Sequence, residues 1–540
     1  MTRLDDLLAW LRRPESYGLP AGETVDVCET PGAWVFLAAD RAFKVKKPVD
    51  LGFLDFSTLE KRWAIMKEEL EINRRTAPDY YLRIAEITEE PGGGFAFDGA
   101  GGTVEVALVM KRFDQDRLLS RVAARDGVSD DLAERLGAAV AAFHREAIAA
   151  GGGDRADGAA AMIRHAEVNA ASLRENAHVF AAGAEPGSAP NFESAALCAA
   201  GDVEALIAET DAATKAQAPL FDARAAAGWM QRLHADLHLE NIFLGDDGAP
   251  VLFDAIEFDP ALATMDVMLD LGFLLMDLIE RGQPRAANRV LNVWIDRMAR
   301  LDAPAVYEGL ALLPLCVSSR AAVRAHVRAR LAAQSDPPDS EKAEDARAYM
   351  ALARKALAPA TPRLIAIGGR SGTGKSTIAK ALAPDAALFG GPVAGAVIVR
   401  TDEVRKRLFG VAPLEPLPRE AYTDEAHARV YAACFEAAGW TLGAGASVIL
   451  DAAFLDPAER AAAEQTAATA GVAFAGLWLD APEAVLIDRV SARAGDASDA
   501  DAEVVRGQFA RDVGEVTWAC ADVSGTVEQA IAAARKATER

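Results

Sequence analysis

The chain has 540 residues, 51% apolar and 25% charged, which is ordinary for a globular protein and too long for one core; two or three domains are expected. Its formal net charge of −23 argues against a broad nucleic-acid or anionic-membrane surface, since such partners need a basic face, and leaves room for a small basic phosphate pocket. Five scattered cysteines without CxxC or zinc spacing fit a reducing cytosol. The first residues are charged at once (Arg3, Asp5, Asp6), unlike a signal peptide, and the apolar stretch near 269–279 is broken by Asp270 and Asp277, so a cytoplasmic protein is expected.

In chain order, residues 1–20 read as a short amphipathic helix (Leu4, Leu7, Leu8, Leu11). Strands are expected at 24–29, 33–38 and 42–46, then a charged helix over 57–75 opened by Ser57 and Glu60 at capping-box spacing. Two further strands, 81–88 and 103–111, flank a hairpin turn at Gly92-Gly93-Gly94. The Ala-rich stretch 118–228 reads as helical, with breaks at 151–153 and 186–190. Short strands and loops follow over 229–258, long helices over 263–330, an exposed loop at Pro337-Pro338 and a helix over 343–357. A Pro-punctuated linker, 358–362, leads into alternating strand and helix: 363–368, 375–382, 397–401, 420–442, 447–451, 457–470, 473–480 and 482–494. That alternation is the pattern of a doubly wound parallel sheet.

The first chemical signature is His234-Ala235-Asp236-Leu237-His238-Leu239-Glu240-Asn241, followed by Phe253-Asp254-Ala255-Ile256-Glu257. A loop of the form H-x-D-x-x-x-x-N sets a carboxylate and an amide five residues apart: the carboxylate can orient and deprotonate an acceptor hydroxyl, while the amide oxygen and a second Asp hold magnesium on ATP phosphates. Asp236, Asn241 and Asp254 have those spacings, and 251–253 is the strand that delivers Asp254. His234 and His238 read as loop-packing residues and not as a metal pair, and Asp270 as a brace for the loop.

On these residues, 1–355 resembles the aminoglycoside phosphotransferase-like branch of the protein-kinase-like fold. The resemblance implies Asp236 as catalytic base, Asn241 and Asp254 as magnesium ligands, and an N-lobe lysine on the ATP phosphates paired with a helix glutamate. Lys44 with Glu69 is the first candidate pair, and Lys46 and Glu68 compete with them. It departs from the family pattern in having Ala235 after the histidine, no Gly-rich loop between the first strands, and Ala-Ile-Glu after Asp254; Glu257 is left between a metal contact and a loop surface.

The second signature, Gly369-Arg370-Ser371-Gly372-Thr373-Gly374-Lys375-Ser376, matches G-x-x-x-x-G-K-[ST] in full between an apolar strand and a helix. Backbone N–H groups of Gly369, Ser371, Gly372, Thr373 and Gly374 can turn around phosphate oxygens, and Ser376 and Thr377 open the helix that presents its positive end. Lys375 reaches the β/γ-phosphates and Ser376 ligates magnesium. Asp402 ends one strand with Arg405 three residues on, Asp451 ends a second at a Walker B-like position, and Arg489 and Arg493 lie four apart on one helix before a lid-like segment, 495–499.

Residues 363–535 resemble small P-loop kinases, including gluconate-kinase-like and polynucleotide 5′-hydroxyl-kinase-like members. The resemblance implies Asp402 as base, Arg405 as substrate contact, Arg489 and Arg493 as lid arginines on the transferring phosphate, and Asp451 on magnesium. The alternatives from the residues are an N-terminal helix position for Asp402 and a solvated face for the two arginines.

The expected organisation is a kinase-like bilobal α+β domain over 1–357 (N-lobe about 1–115, C-lobe about 116–357), the linker 358–362, and an α/β P-loop domain over 363–540. The whole resembles a bacterial family of tandem phosphotransferase and ATP-binding proteins, whose "aminoglycoside" label is fold analogy and not evidence of a drug substrate. The expected activity is an ATP- and Mg2+-dependent transfer to a small hydroxylated molecule. The alternatives are a polynucleotide 5′-hydroxyl kinase, which the acidic charge opposes, and an ATP-binding regulator with a degenerate first domain. Neither the acceptor nor the oligomeric state follows from the sequence.

Overall fold

The computed structural model describes residues 3–50, 55–151, 158–181, 200–334, 339–389, 393–492, 498 and 500–538. The expected breaks at 152–153 and 186–190, the Pro337-Pro338 loop, Arg493 and all of the 495–499 segment except Ser498 lie outside the described residues.

After α1 (Arg3–Leu11) come β1 (Val25–Glu29), β2 (Ala33–Ala38), β3 (Arg41–Lys46), α2 (Leu59–Arg74), β4 (Tyr81–Glu89), β5 (Phe95–Phe97) and β6 (Gly102–Lys111). The six strands form one antiparallel sheet in the order β1-β2-β3-β6-β4-β5. Leu7 and Leu11 of α1 pack on Phe36, Val45, Ile87 and Ala107, while Met66 of α2 packs with Tyr81, Val106 and Leu108. A strand's side chains alternate between faces, so Lys44 and Lys46 share one face of β3 while Val45 serves the other. The cap of α2 corrects the sequence reading: Thr58, not Ser57, accepts the Lys61 N–H. Ser57 is turned to Asp55, donating both its N–H and its hydroxyl to Oδ1. The three-residue β5 was too short to leave a period of its own.

The Ala-rich stretch forms α3 (Leu119–Asp126), α4 (Asp130–Ala150), α5 (Gly158–Glu175), α6 (Ala177–Ala181) and α7 (Ala200–Ala226). Short elements carry the first signature: β7 (Met230–Arg232), β8 (Ile242–Leu244), β9 (Pro250–Leu252), α8 (Pro260–Ala263) and β10 (Thr264–Asp266). Helices α9 (Val267–Glu280), α10 (Pro284–Met298), α11 (Ala303–Gly309), α12 (Leu313–Ala333) and α13 (Ser340–Leu357) follow. The run Ala303–Ala333 is long and apolar enough to cross a membrane, yet 78% of its apolar window is packed inside the fold, as in a core helix.

The last region alternates β11 (Arg363–Gly369), α14 (Lys375–Leu382), α15 (Ala386–Phe389), β12 (Val397–Arg400), α16 (Thr401–Leu408), α17 (Asp424–Gly443), β13 (Val448–Asp451), α18 (Pro457–Ala470), β14 (Ala473–Asp480), α19 (Glu483–Ala492), α20 (Ala502–Ala510), β15 (Ala519–Asp522) and α21 (Val527–Thr538). Its five strands are all parallel, in the order β12-β13-β11-β14-β15, a doubly wound sheet. Ile365, Ile367, Ile449, Leu477 and Leu479 fill one face against Ile378 and Leu382 of α14.

By compactness the chain divides into one unit of 1–127, 146–155 and 228–270, and another of 128–145, 156–227 and 271–540. The second unit therefore runs through 358–362 without a break, and within it α10 lies along the edge strand β12.

Candidate functional site

In the first unit, the antiparallel turn between β8 and β9 brings the two halves of the first signature together. The Phe253 N–H donates to Asn241 O at 3.0 Å and the Ile256 N–H to His234 O at 3.0 Å, knitting the loops. Asn241 Nδ2 donates to Asp236 Oδ2 at 2.8 Å and to Asp236 O at 3.0 Å, which makes the amide Oδ1 the atom left for a cation. His238 Nδ1 accepts the Glu240 N–H, so its proton sits on Nε2, 3.3 Å from Asp236 Oδ2. The Asp236 carboxylate is thus aimed by two neighbours and remains 36% exposed, placed to receive a proton from a bound hydroxyl.

His234 is buried and donates Nε2–H to Phe253 O at 2.9 Å, and burial holds its pKa below the usual value. Asp270 Oδ1 accepts the Ala235 N–H at 2.8 Å, the bracing contact expected of it. Ala235 and Asp254 both have left-handed backbones, with φ of 67° and 60°. The Asp254 turn is secured from the N-lobe: its N–H donates to Tyr81 Oη at 3.1 Å, and the Ala255 N–H donates to Asn73 Oδ1 at 2.9 Å. No sequence signal pointed to Tyr81 or Asn73.

Lys44 Nζ lies 2.7 Å from Glu69 Oε1 and 2.9 Å from Asp254 Oδ1. Lys46 Nζ lies 2.6 Å from Glu69 Oε2 and 2.5 Å from Glu257 Oε1. The two lysines are therefore not alternatives: each takes one oxygen of Glu69. Burial alone would raise the Glu69 pKa, but Lys44 and Lys46 outweigh it and hold the group at about 2. Glu68 pairs instead with Arg232, and Glu257 lies buried against Lys46, neither on the surface nor held out for a metal. The oxygen donors Asn241 and Asp254, the latter with its side chain 45% exposed, suit a hard cation such as magnesium.

In the second unit, the P-loop turns at the end of β11. Gly372 has φ 86°, and a Cβ there would meet Leu486 O at 2.8 Å; Gly374, at φ 84°, caps α14. Lys375 Nζ donates to Gly369 O at 2.9 Å and Arg370 O at 3.0 Å, folded over the loop it would leave for phosphate. A cavity of about 810 Å³ is lined by 371–378, Asp402, Arg405, Asp451, Arg489 and Gln508. Thus the P-loop faces Asp402 and Arg405, brought there by the parallel order β12-β13-β11.

Asp402 lies in the first turn of α16, whose N-cap is Arg400, and its Oδ2 is 3.7 Å from Arg400 Nη2. Arg405 donates to Ala421 O and lies 5.3 Å from the Tyr422 ring centre, which fixes it on the cavity wall. Asp451 is buried, its Oδ2 accepts no hydrogen bond, and Arg400 Nε is 3.5 Å away. Burial raises its pKa, against the pull of Arg400, Lys375 and the Ser376 hydroxyl. That buried oxygen beside Ser376 fits a magnesium ion or its water shell. Arg489 lines the cavity, but its Nη2 donates to Val523 O at 2.8 Å and Gly525 O at 3.1 Å, so it braces that turn. Its expected companion Arg493 lies outside the described residues.

The sequence reading missed Gln508, which accepts the Ser371 N–H through Oε1 at 2.7 Å and donates to Ser371 Oγ at 3.1 Å. Next to it, Phe509 lies under the Arg370 guanidinium, 4.3 Å from ring centre to Cζ. Both sit on α20, a helix that the sequence reading did not foresee. Each arrangement brings together a carboxylate, a lysine and further side-chain oxygens: Asp236, Lys44, Asn241 and Asp254 in the first unit, and Asp402, Lys375, Ser376 and Asp451 in the second.

Residues 364–511 match a family profile described as an AAA domain. Among solved structures the chain is similar to a choline/ethanolamine kinase family protein from Mesorhizobium loti, at 14% identity and a TM-score of 0.37, covering 66% of this chain and 95% of that one. It is also similar to a gluconokinase from Sinorhizobium meliloti 1021, at 22% identity and a TM-score of 0.25, covering 33% of this chain and 93% of that one. Over 516 residues it is 35% identical to Rv2004c, an uncharacterized protein of Mycobacterium tuberculosis, with 94% of each chain covered. On the strength of that near full-length identity, the chain belongs to the same family as this mycobacterial protein.

Proposed function

We propose that the protein is an ATP- and magnesium-dependent phosphotransferase with two nucleotide sites, one in 1–357 and one in 363–540, which transfers the γ-phosphate to small hydroxylated acceptors. The observation that carries this reading is the shared cavity in which a complete P-loop faces Asp402 and Arg405. There Lys375 and the loop amides would hold the nucleotide phosphates, Ser376 and Asp451 the cation, and Asp402 would accept the proton of the attacking hydroxyl. At the first site Asp236 would take that proton, Lys44 would contact the phosphates, and Asn241 and Asp254 would hold the cation. Ser376 and Asp451 at the one site, and Asn241 and Asp254 at the other, would hold a magnesium ion, which would supply positive charge to offset that of the phosphates. A net charge of −23 supports a small-molecule acceptor over nucleic acid.

Titration calorimetry with ATP and magnesium tests the count of sites. Two equivalents are expected for the wild type and one each for Lys44→Ala and Lys375→Ala. A single equivalent in the wild type, lost in Lys375→Ala, would contradict the first site.

A further inference from the structure

Four ion pairs link five charged groups of the first unit in a row of alternating signs, which the backbone between Glu257 and Asp254 closes into a ring. It runs from Asp254 to Lys44, on to Glu69, then Lys46, then Glu257, and back along the chain to Asp254. Both lysines come from one face of β3, Glu69 from α2, and the two remaining carboxylates from a single loop three residues apart. That loop is therefore gripped at both ends by the same strand, with Glu69 as the shared anchor.

The two halves of the ring differ in access to water. Side-chain exposure is 4% for Lys46 and 7% for Glu257, against 15% for Lys44 and 45% for Asp254. Phe56 closes one side of Lys46, its ring centre 5.2 Å from Nζ. An ion pair in a dry setting is held strongly, and breaking it strands a buried charge; a pair open to water exchanges partners readily. For Lys44 to contact phosphate oxygens and Asp254 a cation, this open pair would have to part.

We propose that Lys46 and Glu257 are positioning residues whose sealed ion pair ties the Asp254 loop to α2 through Glu69, so that Lys44 and Asp254 form the exchangeable half that receives magnesium and nucleotide. This rests on the reading of the first unit as a nucleotide site. Neither residue touches the nucleotide. Lys46 occupies the second oxygen of Glu69, which keeps that carboxylate from closing on Lys44 with both oxygens. Glu257 keeps the loop on β3 after Asp254 has let go of Lys44.

The test is binding of a fluorescent N-methylanthraniloyl-ATP to full-length protein carrying Lys375→Ala, with and without magnesium, beside thermal unfolding of each variant. Glu257→Gln and Lys46→Met are each expected to lose about tenfold of the magnesium-dependent gain in affinity, with binding in EDTA changed by less than about twofold. The double variant should lose no more than the worse single one, because both act through one ion pair. Lys46→Arg, which keeps the charge and the reach, should recover most of the magnesium effect. Should Lys46→Met or Glu257→Gln fail to fold, Glu257→Asp, one methylene short of Lys46, is expected to show the same loss. An undiminished magnesium effect in the folded variants, equal losses with and without magnesium, or losses that multiply in the double variant would each overturn the relay while leaving the nucleotide site standing. No binding at all to the Lys375→Ala protein would overturn the nucleotide site and the relay with it.

Discussion

Asn292 on α10 accepts the Ile398 N–H of the edge strand β12 through Oδ1, at 2.6 Å. Asn288, one turn earlier, donates to Ala396 O at 2.9 Å, so two side chains satisfy the open edge of the parallel sheet. Bare sheet edges invite pairing with other chains, and here a helix covers the strand that leads directly into Asp402. The Lys380 pair with Glu134 of α4, at 2.9 Å, ties the P-loop helix α14 as well to the preceding helical region.

Removing that acceptor should be felt as lost stability. Asn292→Ala leaves the N–H of half-buried Ile398 without its partner in an otherwise buried strand and is expected to lower unfolding free energy by roughly 1–2 kcal/mol. Urea unfolding measures it; an unchanged midpoint would contradict the role of α10 as an edge cover.

Ala235 is buried and held at φ 67°, a backbone that costs a residue with a Cβ about 1 kcal/mol more than glycine. Ala235→Gly is therefore expected to raise unfolding stability by roughly 0.5–1 kcal/mol, with the gain partly offset by the freer unfolded chain. A lower midpoint would show that the strain is absent.

Tyr81 supplies the oxygen that accepts the Asp254 N–H, and burial raises its hydroxyl pKa well above the usual value, keeping it neutral. Tyr81→Phe keeps the packing and deletes the acceptor. It is expected to weaken magnesium–nucleotide binding at the first site by about fivefold, with a stability loss near 1 kcal/mol. Affinity equal to that of the parent, measured in the Lys375→Ala background, would count against a role for Tyr81 in setting the loop.

On α16, burial and the nearby Asp296 raise the Glu403 carboxyl from 4.5 to about 7, against the pull of Arg400 and Lys380. Between those values the folded chain holds a proton that the unfolded chain releases, so this group makes stability fall as pH rises from 4.5 to 7 and adds no further change above. Glu403→Gln, which imitates the protonated form, should match the wild type below pH 4.5 and exceed it above pH 7. Parallel stability curves across that range would contradict the shift.

Much of this was legible because its periods are strong. The parallel sheet showed in apolar strands such as Leu364–Ile367 alternating with helices, and the P-loop in an eight-residue pattern that few other chemistries need. The choice between Lys44 and Lys46 was undecidable from spacing for a physical reason. Residues two apart on a strand share a face, and both reach Glu69. Glu68 and Glu69 point about 100° apart on a helix, and only a structure tells that the first meets Arg232. Arg489 shows the opposite limit. Helical spacing gives its face, but carbonyl oxygens at 523 and 525, far along the chain, decide where its guanidinium settles. The strand β15 went unseen because it is only four residues long and buries one of them, Ala521, too little to leave a period.

The most direct test of two phosphotransferase sites is transfer from γ-labelled ATP into a fractionated small-metabolite pool, run for the wild type, Asp236→Asn and Lys375→Ala. Two labelled products are expected, one lost in each variant and retained in the other. ATP hydrolysis without any labelled product, abolished by Lys375→Ala and untouched by Asp236→Asn, would contradict that expectation.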